Sequence, residues 1–168
     1  MAAPQVHGRG SSVSERLPFD RLLVPIDFSW AAREAFSVAM RVAEVWSSSV
    51  ILFYAPGGDG NDEFLDYTGV SWGRGDVIGE AHGQLTRFAD TVVPGSAERL
   101  CIDAYKDDNP VRAVARACER HNPTLIVLGT HDRDRHRWSR SRAERIVRAV
   151  SCPVMMVRAE REPYVDPD

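Results

Sequence analysis

The sequence predicts a doubly wound α/β fold, a three-layer sandwich in which four helices cover both faces of a five-stranded parallel sheet. Two observations predict it. Short and almost wholly apolar runs, typical of strands buried on both faces, recur along the chain. Between them lie longer segments whose apolar residues return every three or four positions, the spacing of an amphipathic helix. This alternation favours parallel pairing, because each helix carries the chain back to the same end of the sheet.

Five apolar runs form the predicted strands. Pro25 lies inside the first run, and proline lacks the amide hydrogen that a central strand donates to its neighbour. We therefore expect a local irregularity of pairing at that residue. The predicted strands are Leu22–Ile26, Val50–Tyr54, Arg99–Ala104, Thr124–Leu128 and Pro153–Val157.

Four segments have the spacing of amphipathic helices. Ser29 precedes the first and is expected to cap it, since a serine hydroxyl accepts a hydrogen bond from a first-turn amide. Asn109 caps the third, Pro110 follows where no amide hydrogen is missed, and Asn122-Pro123 ends that helix. The predicted buried faces are Ala32, Phe36, Ala39, Ala43 and Trp46; Ile78, Ala81, Leu85, Phe88 and Val92; Val111, Val114, Ala115 and Cys118; and Ala143, Ile146, Val147 and Val150.

The remaining segments lie outside the predicted sandwich. Residues 1–18 are interpreted as a disordered N-terminal tail, residues 19–158 as the domain, and residues 159–168 as an acidic C-terminal tail. The long, glycine-rich loop Gly57–Asp76 is expected to be a mobile insertion or a functional lid. Its acidic residues do not have the spacing of a calcium loop, so no metal site is predicted there.

Charge and apolar content exclude several classes of protein. The net charge is -3 and the isoelectric point about 6.0, so no overall positive charge attracts nucleic acid or anionic lipid. No segment reaches the roughly 20 apolar residues of a membrane span, and the first residues lack the apolar stretch of a secretory signal. We therefore expect a cytoplasmic protein.

The three cysteines, Cys101, Cys118 and Cys152, predict no bonded framework. They are odd in number, widely spaced and contain no CxxC pair, so neither a zinc site nor a set of disulfides is indicated. That usage fits a reducing compartment. We interpret Cys118 and Cys152 as packing residues rather than reactive ones.

The candidate site lies at the carboxyl ends of the strands, where open parallel sheets bind ligands at the point of strand-order reversal. Asp27 follows the first strand, and Gly129, Thr130 and His131 follow the fourth. The last helix begins near Ser141, which forms S-x-x-E with Glu144, the pattern of a capping box at an anion-binding helix end. The candidate nucleotide- or anion-binding residues are Asp27, Gly129, Thr130, His131, Arg133 and Ser141.

Four stretches carry a resemblance to a known family: LLVPIDFSWAA, DDNP, PTLIVLGTH and SRAERIVRAVSCPVMMV. Their order and spacing, from about Arg21 to Arg158, resemble the universal stress protein family. The resemblance implies a stress-response protein with an adenine-nucleotide-alpha-hydrolase-like fold, usually a homodimer, which either binds ATP or AMP or binds no nucleotide.

The chain departs from the phosphate loop that the resemblance implies for nucleotide binders, G-x2-G-x9-G-[ST]. Asp132 and Arg140 stand where its second and third glycines belong, and Asp108 occupies a further glycine position before the third helix. A carboxylate near phosphate is repulsive, so these departures predict weak or absent nucleotide binding. Two interpretations of the arginines that follow His131 remain open: an anion site rebuilt from guanidinium groups, and a solvated loop. They are Arg133, Arg135, Arg137, Arg140 and Arg142.

The leading functional hypothesis is a regulatory or protective domain that acts as a homodimer, through protein contacts and without nucleotide turnover. The dimer is expected to form through Pro153–Val157, because an apolar strand at the end of a sheet has free backbone groups on one side. The acidic tail covering that edge is the alternative. No cofactor, metal or catalytic residue is predicted, and no G-x-S-x-G elbow is present. An ATP- or AMP-binding module, with at most weak ATPase activity, is the second hypothesis and a polyanion-binding protein the third.

Overall fold

The computed structural model describes residues 19–56, 76–130 and 140–159. Several expectations fall outside these residues: the tail 1–18, the loop 57–75, His131, Arg133 and the tail from residue 160 onwards. Strands and helices alternate in the described part, and a short 3₁₀ turn, Ala97–Arg99, precedes the third strand. The strands are β1 (Arg21–Pro25), β2 (Ser49–Tyr54), β3 (Leu100–Ala104), β4 (Leu125–Thr130) and β5 (Val154–Arg158); the helices are α1 (Trp30–Trp46), α2 (Val77–Val92), α3 (Pro110–His121) and α4 (Arg140–Ala149).

The strands form one parallel sheet in the order β3-β2-β1-β4-β5. The chain builds outward from β1 to β3 on one side, then returns to build β4 and β5 on the other. The strand order therefore reverses between β1 and β4, and β5 lies at an edge. The doubly wound fold is confirmed.

Two apolar clusters, one on each face of the sheet, make up the core. Leu22 and Val24 of β1 point to the face covered by α1 and α2, where Phe36 and Leu85 are fully buried. Leu23, between them, points to the opposite face, which α3 and α4 cover. The alternation along β1 is the period of two of a strand, and it produces three layers.

The predicted caps of α1 and α3 are confirmed. The Ser29 hydroxyl accepts a hydrogen bond from the amide of Ala32 at 3.2 Å, at the start of α1. The Asn109 side chain accepts from the amides of Val111 at 3.0 Å and Arg112 at 3.1 Å. Asn122 ends α3 in the left-handed conformation, with φ of 45°. Capping is decided by residues within one turn of each other, which is why the sequence alone locates it.

The strand boundaries differ from the prediction by one or two residues. Arg99 belongs to the 3₁₀ turn rather than to β3, Ile26 follows β1, and Pro153 precedes β5. β4 begins one residue later than expected and continues through Gly129 to Thr130. The ends of a strand are set by its backbone hydrogen bonds. Polar residues and glycines can continue that pairing, so the end of an apolar run does not mark the end of a strand.

Most residues of the predicted helix faces are buried or half-buried, and two of them are exposed. Trp46, at the end of α1, is 40% exposed, and Val147 of α4 is 43% exposed. In α3 the half-buried residues Val111, Ala115 and Cys118 flank the true buried face. The fully buried residues of α3 are Ala113, Val114 and Ala117. Small alanines let α3 lie close to the sheet, so the residues with the largest apolar side chains do not define its inner face.

Candidate functional site

The centre of the sheet opens where β1 and β4 end. β1 pairs with β2 along its whole length, from Arg21 to Pro25, but with β4 only at Leu22 and Leu23. β4 continues beside β5 as far as Thr130. The expected irregularity at Pro25 is therefore confirmed on the β4 side, where proline has no amide hydrogen to donate. The two central strands separate at the carboxyl edge, and this gap is the switch point predicted to bind a ligand.

Asp27 lies at this edge and is 3% exposed. Its carboxylate accepts hydrogen bonds from the amide of Ser29, at 3.0 Å, and from the Ser29 hydroxyl. The same hydroxyl caps α1 by accepting from Ala32. Asp27 is thus joined through Ser29 to the amino end of α1, where the helix dipole favours a negative charge. Asp27, a predicted site residue, therefore stabilises the loop between β1 and α1.

Phe28, between Asp27 and Ser29, has a backbone φ of 60°. A residue with a β-carbon pays about 1–2 kcal/mol for this left-handed conformation, so the surrounding contacts must hold it. The Phe28 ring packs edge-on against Tyr54, at 4.9 Å between centroids, and against Phe88, at 5.6 Å. Sequence analysis missed Phe28, because nothing in the spacing marks a positive φ at a phenylalanine. Its ring packs against the core between β2 and α2, and these contacts hold the backbone of the Asp27 loop.

Packing against α1 explains why residue 129 is a glycine. A β-carbon on this residue would overlap the carbonyl group of Ala31 and lie 2.9 Å from the amide nitrogen of Ala32. The end of β4 therefore touches the backbone of the first turn of α1, and glycine is the residue that permits this approach. Gly129 brings β4 to the helix end that carries Ser29 and Asp27. Thr130, the next residue, is half-buried and pairs with Arg158.

Ser141 lies inside the first turn of α4, which begins at Arg140. A capping box requires its serine before the first helical residue, so the predicted box at Ser141 is wrong. The side chain of Ser141 is outside the described part of the structure, as are His131 and Arg133. The structure thus brings together Asp27, Gly129 and Thr130 from the predicted set.

A second carboxylate, Asp107, organises the loop between β3 and α3, and sequence analysis missed it. Asp107 is 4% exposed and accepts hydrogen bonds from the Arg112 guanidinium, at 2.7–3.1 Å, and from the amide of Asn109, at 2.9 Å. The Arg112 hydrogen bonds hold the pKa of Asp107 below its usual range, against the opposing effect of burial. The amide of Asp107 also donates to the carbonyl of Pro56, just after β2, at 3.2 Å. In the DDNP motif the first aspartate therefore fixes the loop, and Asp108 is left exposed.

A groove of about 400 Å³ lies beyond this loop, against the edge strand β3. The guanidinium groups of Arg116 and Arg120 each lie 5.3 Å from the ring centroid of Tyr105, a cation–π distance. Burial raises the pKa of Tyr105 to about 12, and its hydroxyl donates to the carbonyl of Ala113. Three cationic residues and one acidic residue line the groove, and ion pairs with Asp107 and Asp103 offset the charges of Arg116 and Arg120. Its lining residues are Tyr105, Lys106, Arg116, Glu119 and Arg120.

Asp103 of β3 ties the end of α3 to the sheet. Its carboxylate lies 2.7 Å from His121 Nε2 and 3.1 Å from Arg120. Burial would raise the pKa of Asp103, but these hydrogen bonds and charges outweigh it, so the pKa is lowered. Arg120 is thereby held by an acidic partner, which reduces its capacity to attract a further anion.

The comparisons with known proteins agree with this architecture. The model of the universal stress protein family matches residues 102–158, from β3 to the end of β5, which include the DDNP segment, Gly129 and Ser141. Over this segment, about a third of its length, the chain is similar to the universal stress protein family. No curated protein sequence matches the chain.

Solved universal stress proteins share its fold. One from Burkholderia pseudomallei is 20% identical, with 85% of this chain and 98% of that chain covered and a TM-score of 0.58. One from Lactobacillus plantarum is 21% identical, with 83% and 98% covered and a TM-score of 0.60. A third, solved in complex with cAMP, is 14% identical, with 83% and 97% covered and a TM-score of 0.59. The likeness extends over nearly the whole length of each of these proteins.

Two further findings concern the described residues only. No helix among them has the length and apolar character to cross a membrane. No three His, Cys, Asp or Glu residues among them are grouped so as to hold a metal ion.

Proposed function

We propose that this chain is a universal stress protein domain, a regulatory module of the stress response that acts as a homodimer through β5, without nucleotide turnover. The observation that carries the proposal is the apolar edge formed by β5. The match of residues 102–158 to the family model supports the stress-response role, and the geometry of β5 supports action through a homodimer.

β5 pairs with β4 along one side and, within the described residues, with no strand along the other. Its side chains alternate between the two faces: Met155 and Val157 pack against the cluster under α1, and Val154 against the cluster under α3 and α4. Met156, on the Val154 side, is 56% exposed. We expect a second copy in antiparallel orientation to pair with the outward backbone groups of Val154–Val157 and to cover Met156, because a two-fold axis sets β5 against the same strand of the partner.

The arrangement at the switch point disfavours turnover of a phosphate ester. Asp27 is engaged with Ser29, and Gly129 serves the packing of α1. The exposed Asp108 adds negative charge at the same edge of the sheet. A carboxylate about 4 Å from a phosphate charge costs about 1 kcal/mol in water and about 4 kcal/mol near a protein surface. A triphosphate would incur this cost more than once, because it carries several negative charges.

Nucleotide binding without turnover is the second candidate. It is favoured by the early end of the pairing between β1 and β4, at the switch point where Asp27 lies. A protein of the same fold has been solved in complex with cAMP.

Light scattering on the purified protein tests the dimer. We expect the mass of two chains for the wild type and of one chain for Met156→Lys, because an exposed edge charge opposes pairing of two sheets. Val45→Lys is the matched control, since Val45 is 79% exposed and belongs to α1 rather than to β5. A monomeric wild type, or a dimer unaffected by Met156→Lys, would rule out the β5 interface.

Calorimetry with ATP and magnesium, and separately with AMP and cAMP, distinguishes the two candidates. We expect an affinity weaker than about 100 μM for ATP, which corresponds to less than about 5.5 kcal/mol of binding free energy. A low-micromolar isotherm with any of the three ligands would favour the nucleotide-binding module. Mass spectrometry of the denatured protein shows whether a nucleotide is carried through purification.

A further inference from the structure

Two cysteines that are distant in sequence lie against the same part of the core. Cys118 is in the last turn of α3, and Cys152 precedes β5 by two residues. Both are half-buried and pack against the apolar cluster beneath α3 and α4, which includes Ile126. Cys101, by contrast, is exposed on β3 at the far edge of the sheet.

Backbone hydrogen bonds place both cysteines beside the start of β4. The carbonyl of Cys118 accepts a hydrogen bond from the amide of Asn122, at 2.8 Å, where α3 ends and the chain turns into β4. The carbonyl of Pro153, next to Cys152, accepts from the amide of Ile126 in β4, at 3.0 Å. The end of α3 and the start of β5 therefore flank the first residues of β4.

The two thiols also affect each other's ionisation. Burial raises the pKa of Cys118 to about 12, and the charge of a Cys152 thiolate and an interaction with that sulfur add to the rise. Burial raises the pKa of Cys152 as well, although its interactions with Cys118 and with the backbone oppose that rise. Cys118 therefore stays protonated at neutral pH.

We propose that Cys118 and Cys152 are a modification site, a buried dithiol that a peroxide converts into an intramolecular disulfide. The Cys152 thiolate attacks one peroxide oxygen, the O–O bond breaks, and the departing oxygen takes up a proton to leave as water. Cys152 is then a sulfenic acid. The sulfur of Cys118 attacks the sulfur of Cys152, the S–O bond breaks, and the thiol proton leaves with the oxygen as a second water. Two thiols lose two electrons, and the peroxide gains them.

Burial sets the rate of this reaction. Because both thiols are protonated at neutral pH, they react more slowly than the low-pKa cysteines of dedicated sensors. The pair therefore responds to sustained peroxide rather than to a brief pulse, and its rate should rise with pH. The bond joins the helical layer to the edge strand by closing a loop that contains α4 and β4, and a closed loop restricts the unfolded chain.

Intact-mass analysis of the full chain tests the proposal in a Cys101→Ser background, which leaves the two thiols. The protein is treated with hydrogen peroxide, the excess peroxide is removed, and free thiols are alkylated in denaturant. We expect a loss of two hydrogens, about 2 Da, with no alkylation, reversed by dithiothreitol. Peptide mapping should join Cys118 to Cys152 within one chain. The oxidised protein should also melt several degrees higher than the reduced one.

Cys118→Ser and Cys152→Ser in the same background are the controls, and Cys118→Ala replaces the first if its polar group prevents folding. Each retains one thiol and should show neither the intramolecular bond nor the rise in melting temperature. The proposal is overturned if both thiols of the parent remain open to alkylation after peroxide. It is overturned equally if the bond forms between chains, or if one thiol is driven to sulfinic acid while the other stays free.

Discussion

Replacing Gly129 with alanine is expected to destabilise the protein by about 3 kcal/mol. The added β-carbon would lie much closer than 3.0 Å to the Ala31 carbonyl group. β-Carbons in proteins essentially never approach other atoms this closely. The obstacle is backbone in the first turn of α1 and not the end of a flexible side chain, so α1 or β4 must shift by several tenths of an ångström at least. Overpacking of this kind costs about 1–3 kcal/mol, and rigid surroundings favour the upper end.

Urea unfolding, followed by circular dichroism, measures this cost. With a slope of about 1–3 kcal/mol per molar urea, the midpoint should fall by about 1–3 M. Gly83→Ala is the matched control: a β-carbon there meets nothing closer than the Arg87 guanidinium at 3.6 Å, inside α2. That change should stabilise the helix by about 0.5–1 kcal/mol, since alanine is the better helix former. If Gly129→Ala unfolds at the wild-type midpoint, packing against α1 does not explain the glycine, and a role toward a ligand takes its place.

Three further predictions concern the Ser29 cap, the buried carboxylate of Asp107 and the proposed disulfide. Ser29→Ala should cost about 1–2 kcal/mol in urea unfolding, because it removes both the cap of α1 and a donor to Asp27, whereas Ser37→Ala within the same helix should change stability by less than about 0.5 kcal/mol. An equal effect of the two changes would contradict this. The lowered pKa of Asp107 means that its stabilisation is present above the unfolded value, near pH 4, and is lost as pH falls through the folded value. Melting temperatures of wild type and Asp107→Asn should therefore differ at pH 7 and converge in acid; a constant difference would refute the assignment. The disulfide should form faster at pH 9 than at pH 7 when alkylation is sampled over time, and a rate independent of pH would show that thiolate is not the reacting form.

The sequence predicts those features that residues within a few positions decide. The caps Ser29 and Asn109 follow from hydrogen bonds inside one helical turn, and the buried strands follow from apolar runs. The edge position of β5 followed from the family resemblance, and the observed strand order confirms it. The dimer expected there stays a prediction.

Features that depend on the packing of distant segments were not predictable in this way. Asp107 is one of two adjacent aspartates, and only the folded loop makes it the buried one. The positive φ of Phe28 depends on rings supplied by β2 and α2. Cys118 and Cys152 become neighbours through the pairing of β4 with β5, which spacing along the chain does not reveal. The family motif singles out Gly129 in the sequence, but the physical reason for a glycine there is the close approach of the α1 backbone.

The short ladder between β1 and β4 has a consequence for how the domain opens. Only Leu22 and Leu23 of β1 pair with β4, so few backbone hydrogen bonds join β3-β2-β1 to β4-β5. α1 crosses this seam, because it packs on β1 and β2 and also on β4 and β5. Cohesion between the halves therefore depends on a helix whose first turn is fastened by Ser29 and seated against Gly129. When that turn frays, the two halves become separate cooperative units, and amide exchange should first quicken along the seam, well below the free energy of global unfolding.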